Sequence, residues 1–211
     1  KFGRLRKVQA ATAFQQALAV DPTLARAHLG LAKVFHESRY LDLALEHYRS
    51  YVAHTRRVVR DEAAAGAAGD RLRQVEQLIQ SMSPAIEESQ RNLAGRSSNL
   101  KVADRARLAA SHGLAGMALR ILLESDVAAV GSAGLFMELD LLVSTGRVRE
   151  LREWLDSGHR GHIGDASYLW LLAQAHCAAG EYQAADAALN ELQTVLSPSA
   201  DPRTTMTSLL A

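Results

Sequence analysis

Three glycines, Gly113, Gly146 and Gly180, recur at an almost constant interval of about 34 residues. Behind each comes the same apolar spacing: Ala115, Ala118 and Leu122, then Val148, Leu151 and Leu155, then Tyr182, Ala185 and Leu189. A glycine followed by apolar residues three and four apart reads as a turn feeding an amphipathic helix. Repetition at this period confines the chain to one kind of architecture. A single helical hairpin cannot bury its own apolar face, so it must stack on others like itself. The N-terminal part keeps the same ruler, because Ala10, Phe14 and Ala17 return one period later as Ala44, Tyr48 and Tyr51. Between them Asp21-Pro22-Thr23 starts a helix, with Asp21 as cap and Pro22 in the first turn, where no backbone donor is needed. Leu31, Ala32 and Phe35 mark the apolar face of that helix, and Arg39-Tyr40-Leu41 makes its turn.

Composition agrees with helices. Hydrophobic residues make up 48% of the 211 and aromatics only 5%, and the apolar share rests on Ala and Leu, which lose little rotamer freedom in a helix. No run of about 18 apolar residues is read, so direct membrane insertion is not expected. A formal net charge of +1 supplies no footprint for nucleic acid. The single cysteine, Cys177, excludes an internal disulfide and is compatible with a cytoplasmic or a periplasmic setting. The chain opens on Lys1-Phe2-Gly3 and is already repeating by Ala10, which reads as a piece of a longer protein.

The last unit carries the fullest motif: Leu172-Ala173, then Gly180-Glu181-Tyr182, then Ala185. At this spacing the chain resembles the tetratricopeptide-repeat (TPR) family. The units at 25–58 and 166–199 and the half-unit at 9–22 carry the resemblance; 99–131 and 132–165 share the period with a degenerate motif. The resemblance implies an all-α fold, an α-solenoid of stacked antiparallel helical hairpins. The expected organisation is an N-terminal TPR segment at 1–58, an irregular helical hairpin insert at 59–98, three TPR-like hairpins at 99–199, and a tail or linker at 200–211.

The insert breaks the period, since the separation of Ala44 from Ala118 exceeds two repeats. Within it Leu72, Val75, Ile79, Met82, Ile86 and Leu93 follow a heptad-like spacing with Ser89 at the missing place. Ser83-Pro84 reads as a fresh helix start, which favours two helices, about 70–82 and 84–95. The stripe either packs on the neighbouring hairpins or serves self-association through Leu72, Val75, Ile79, Met82 and Ile86.

Chemistry-bearing text is sparse. Asp156, His159, His162 and Asp165 recur every three residues, as metal ligands would, yet they fall with three glycines at a joint between repeats, and an ordinary loop is the expectation. His28, His36, His47 and His54 lie on the two helices of the first full unit and read as packed or solvated. No phosphate loop, nucleophile elbow or HExxH text is present. Neither catalysis nor a cofactor is therefore expected.

In TPR proteins the first helix of each hairpin lines a concave groove, so the resemblance implies a partner-reading face. Here it comprises Arg26, Leu29, Lys33 and His36, then Ala103 and Arg107, then Phe136, Asp140 and Val143, then Trp170, Gln174 and Cys177. Phe136 and Trp170, one period apart, read as an aromatic rung for an apolar or helical ligand, or as core. The clamp that some TPR proteins close on a chaperone's terminal carboxylate is not expected, because Leu29 and Lys33 have no Asn partners. The leading expectation is a scaffold of bacterial type that binds a protein or peptide within a larger assembly. The alternative is the accessory TPR arm of a larger enzyme or of a polysaccharide-export or secretion protein.

Overall fold

The computed structural model describes residues 2–58, 67–96, 99–157 and 159–196. Among them the regular elements are all helical: α1 (Phe2–Val20), α2 (Ala25–Glu37), α3 (Leu41–Val58), α4 (Ala67–Arg96), α5 (Val102–Ser111), α6 (Ala115–Leu123), α7 (Val127–Ser144), α8 (Val148–Asp156), a 3-10 turn (His159–His162), α9 (Asp165–Ala179) and α10 (Tyr182–Leu196). The all-α expectation holds. The tail, and residues 59–66 of the insert, lie outside the described residues.

The ruler in the sequence is a repeated helix ending. Gly113, Gly146 and Gly180 adopt φ of +76°, +77° and +79°, and Arg39 takes the same role at +60°. After each, the next residue's N–H reaches back five residues: Tyr40 to the Phe35 carbonyl at 2.8 Å, Leu114 to Ala109 at 3.0 Å, Arg147 to Leu142 at 2.8 Å, Glu181 to His176 at 2.9 Å. This left-handed closure satisfies carbonyls that a helix end would otherwise leave bare, and it reverses the chain into α3, α6, α8 and α10. Each turn joins two packed helices, α2 with α3, α5 with α6, α7 with α8, and α9 with α10.

Two hydrophobic clusters result. The smaller centres on Leu31, Phe35, Ala44 and Tyr48 of α2 and α3; the larger on Ala118, Leu122, Leu139 and Leu151 of the C-terminal helices. Helix α4 ties them together. Its Val75 is buried in the smaller cluster and its Ile86 and Leu93 in the larger, while Ile79 and Met82 touch both.

Here the structure differs from the expected hairpin, because α4 runs unbroken through Pro84. One helix keeps Val75, Ile79, Met82, Ile86 and Leu93 in phase along a single buried face, and burial of each large side chain is worth about 1.5–3 kcal/mol. Together these outweigh the roughly 3 kcal/mol that an interior proline costs. Pro84 and Gln80 are exposed, so the carbonyl released four residues back meets water, and the Ser83 hydroxyl donates to the Ile79 carbonyl at 2.8 Å instead of capping a new helix. The stripe proposed for self-association therefore faces inward.

A second difference concerns α7. Its 18 residues have a mean hydropathy of 1.6, long and apolar enough to cross a membrane by composition, whereas the sequence reading expects no such run. Half of that window is buried within the protein. Gly131, at φ +67° and ψ 170°, interrupts the helix, so the continuous part, 132–144, falls short of the roughly 20 residues a span requires. In this fold α7 is a core helix, packed against α5, α6, α8, α9 and α1.

Long-range contacts seat the first unit on the C-terminal hairpins. The Leu41 N–H donates to the Gly113 carbonyl at 2.7 Å. The Asp42 carboxylate accepts from Gly116 N–H at 3.2 Å and Met117 N–H at 2.8 Å, capping α6 from another part of the chain. Burial pushes the Asp42 carboxyl up from its ordinary value, against those same hydrogen bonds. Desolvation thus outweighs the cap.

A candidate partner-binding face

The residues expected to read a partner fall into two groups. On α2, Arg26 and Lys33 are exposed and Leu29 is buried in the smaller core. His36 is half-buried, its Nδ1 3.4 Å from the Tyr48 hydroxyl. Arg107, on α5, is exposed and pairs with Asp104 one turn earlier at 2.7 Å. The second group sits on α7 and α9. There Phe136 is half-buried against the larger core, whereas Trp170 is 44% exposed. The expected rung therefore has one ring on the core and one in solvent. Gln174 is half-buried, and among the described residues its amide nitrogen is buried without a hydrogen-bond partner.

Asp140 is engaged by the chain itself. The Arg4 guanidinium donates to both of its carboxylate oxygens, at 2.8 and 3.0 Å, and to the Ser144 hydroxyl at 3.0 Å. Further along α1, the Gln9 amide donates to the Cys177 carbonyl and to the Tyr182 hydroxyl, both at 3.0 Å. Val8 enters the larger core. Ala11 and Thr12 press so closely on the α7–α8 turn that a Cβ on Gly146 would lie 2.5 Å from their backbone atoms. On its other side α1 packs on α2, where the Phe14 ring covers Gly30 and leaves no room for a Cβ, 2.3 Å from it. The first helices of the last two hairpins thus hold a helix, and that helix is α1.

One sequence signal pointed this way. Val8 and Thr12 lie on one side of α1 and Ala11, Phe14 and Leu18 on another, and a helix packed on two sides sits between two layers. The half-unit reading used only the side that faces α2.

Elsewhere an open cleft of about 870 Å³ lies between α3, α4, α6 and the turn before α8, lined by Leu45, Arg49, Ile86, Met117, Arg120 and Arg147 among others. Arg49 pairs with Glu87 at 3.1 Å, and Arg147 with Glu150. Two of its arginines and Asp42 are thus engaged within the protein.

The histidines of the first unit form a cluster between α2 and α3. His28 Nε2 donates to the Pro22 carbonyl at 3.0 Å, and His28 Nδ1 lies 2.9 Å from His47 Nδ1, from which the neutral ring accepts. His54 stacks on His28, with ring centroids 5.3 Å apart and an angle of 12°. Burial, reinforced by His28, holds His47 down at about 4. Burial lowers His54 as well. This arrangement ties the start of α2 to α3.

In the loop with metal-like spacing, Asp165 accepts from Arg160 Nε at 2.6 Å, and the same guanidinium lies 4.9 Å over the Tyr168 ring. Among the described residues no group of three or more His, Cys, Asp or Glu side chains converges as metal ligands would; the His159 side chain lies outside them. Cys177 is half-buried, and burial pushes its thiol up, away from the reactive thiolate.

The architecture defines an all-α protein of linked helical hairpins. Compared with known families, with curated proteins and with solved structures, the chain matches none.

Proposed function

We propose that this chain is a non-catalytic protein–protein interaction scaffold, a TPR-like solenoid whose first-helix face binds a peptide or helix of a partner within a larger assembly. One observation carries the reading: the face formed by α7, α9 and the turn between α7 and α8 already binds a helix, α1, through side-chain anchors and close backbone approach. A surface that holds one helix has the shape and polar groups to hold another. The repeated left-handed helix endings at Arg39, Gly113, Gly146 and Gly180 support the solenoid reading, because identical turns present successive first helices on one side.

The test is capture from a native lysate by the wild-type chain, Trp170→Ala and Lys33→Glu. Both substituted side chains are exposed, so melting should stay within a degree or two of wild type. The scaffold reading expects a defined set of proteins that wild type retains and at least one variant loses. If both folded variants retain the same set as wild type, this face is not the binding face.

A further inference from the structure

Beside the open cleft, the histidine cluster and the exposed apolar residues of α10, the seat of α1 has the most specific chemistry. Helix α1 carries Arg4, Arg6 and Lys7 near its N-terminus and no acidic residue in its first turn. Cations there oppose the helix dipole, so this end depends on what surrounds it. The surroundings are complementary. Asp140 and Ser144 take Arg4, while Lys7 donates to the Glu37 carbonyl at 3.0 Å and lies 3.5 Å from the Glu37 carboxylate. Beyond the charged end, the backbone of Ala11 and Thr12 approaches Gly146 so closely that a Cβ at 146 has no room, and the Ala11 and Thr12 side chains are themselves buried, which leaves space for small residues only.

These anchors are of the weak kind. The Arg4 side chain is 60% exposed, the Lys7–Glu37 pair is also open to solvent, and exposed ion pairs contribute little. On the α7/α9 side the buried apolar contribution of α1 is modest, Val8 in the larger core and the methyl of Thr12, while Ala11, Phe14 and Leu18 pack on the smaller core.

We infer that the trough between α2 on one side and α7 and α9 on the other is an exchangeable helix-binding site, with α1 as its resident ligand. The partner it takes is a helix of the same chemistry: a cationic first turn that reaches Asp140 and Glu37, followed by two adjacent small residues that pass over Gly146. This rests on the scaffold reading and sharpens it, because a partner must compete with α1. The apparent affinity of such a partner is reduced by the fraction of molecules in which α1 holds the seat.

The test uses the full chain and a fluorescein-labelled peptide of residues 2–20 as probe. A variant with Arg4→Ala and Gln9→Ala loosens the resident helix while leaving the seat intact. The labelled peptide should bind this variant at least tenfold more tightly than wild type. Adding Asp140→Arg should remove the gain, and a peptide carrying Arg4→Glu should restore it. Should the double variant fold poorly, Gln9→Ala alone, which removes two uncharged hydrogen bonds, should still raise peptide affinity a few-fold. Equal binding to the wild-type and loosened chains, or no binding to a loosened chain that melts normally, overturns the inference. So does a loosened chain that forms dimers and ignores the peptide, since the seat then takes only a second copy. If the peptide fails while lysate capture still depends on Trp170 or Lys33, exchange is wrong and the scaffold reading stands; if both fail, both are wrong.

Discussion

Gly113, Gly146 and Gly180 share nearly the same left-handed backbone, with φ of +76°, +77° and +79°. Replacing each with alanine therefore imposes nearly the same conformational strain, about 1–2 kcal/mol, and the same gain from a stiffer unfolded chain. Those contributions cancel when the three variants are compared. What remains is the space each Cβ would enter. At Gly180 nothing lies within 4 Å; at Gly113 the Arg39 carbonyl oxygen is 2.9 Å away; at Gly146 the backbone of Ala11 and Thr12 is 2.5 Å away. Helix backbone cannot swing aside as a side chain does, so Gly146→Ala must either shift α1 or strain the turn, an overpacking cost of about 1–3 kcal/mol. The expected order of destabilisation is Gly146→Ala, then Gly113→Ala, then Gly180→Ala. With about 2–4 °C of melting temperature per kcal/mol for a chain this long, Gly146→Ala should melt roughly 2–12 °C below Gly180→Ala. Calorimetry or thermal circular dichroism reads this directly. Equal losses at Gly146 and Gly180 would refute the docking of α1 on the α7–α8 turn.

Three further outcomes are expected. Pro84→Ala should stabilise the chain by about 1–3 kcal/mol in urea unfolding, because it restores a helical N–H at an exposed interior position of α4; a loss of stability would mean that the proline is needed for the path of α4. His47, near 4 in the folded chain against an ordinary 6.5, binds more protons when unfolded. Its contribution is thus complete above about pH 6.5 and is lost as the pH falls toward 4, by up to about 3 kcal/mol. His47→Gln should flatten the drop in melting temperature between about pH 7 and 4.5, and an unchanged drop would assign the acid sensitivity elsewhere. Phe136→Ala should cost about 2–4 kcal/mol as a core truncation, whereas Trp170→Ala should cost under about 1 kcal/mol; similar losses on melting would show that both rings are core.

The helical hairpins were legible because their signal is local. A turn residue and apolar positions three and four apart suffice to place α5 to α10, and the left-handed closure at Gly113, Gly146 and Gly180 explains why those residues are glycine. Arg39 shows the limit, since its φ of +60° carries no glycine to announce it; only the matching period located that turn. The expectation at Pro84 failed because local propensity was weighed without the tertiary burial that keeps α4 in one piece. The candidate site was legible only in part. Asp140, Phe136 and Trp170 lie on the helices expected to present them, but the occupant of that face depends on the contact of Arg4 with Asp140, two residues 136 apart in the sequence. No window of sequence holds both ends of that ion pair.

The most direct test follows hydrogen exchange of the full chain with unlabelled residue 2–20 peptide in excess. The account predicts that amides of the resident α1 lose protection as the peptide is added, while α7 and α9 stay protected, because one helix replaces another in the same seat. Unchanged exchange in α1 at saturating peptide, or new protection confined to α4 and α6, would contradict it.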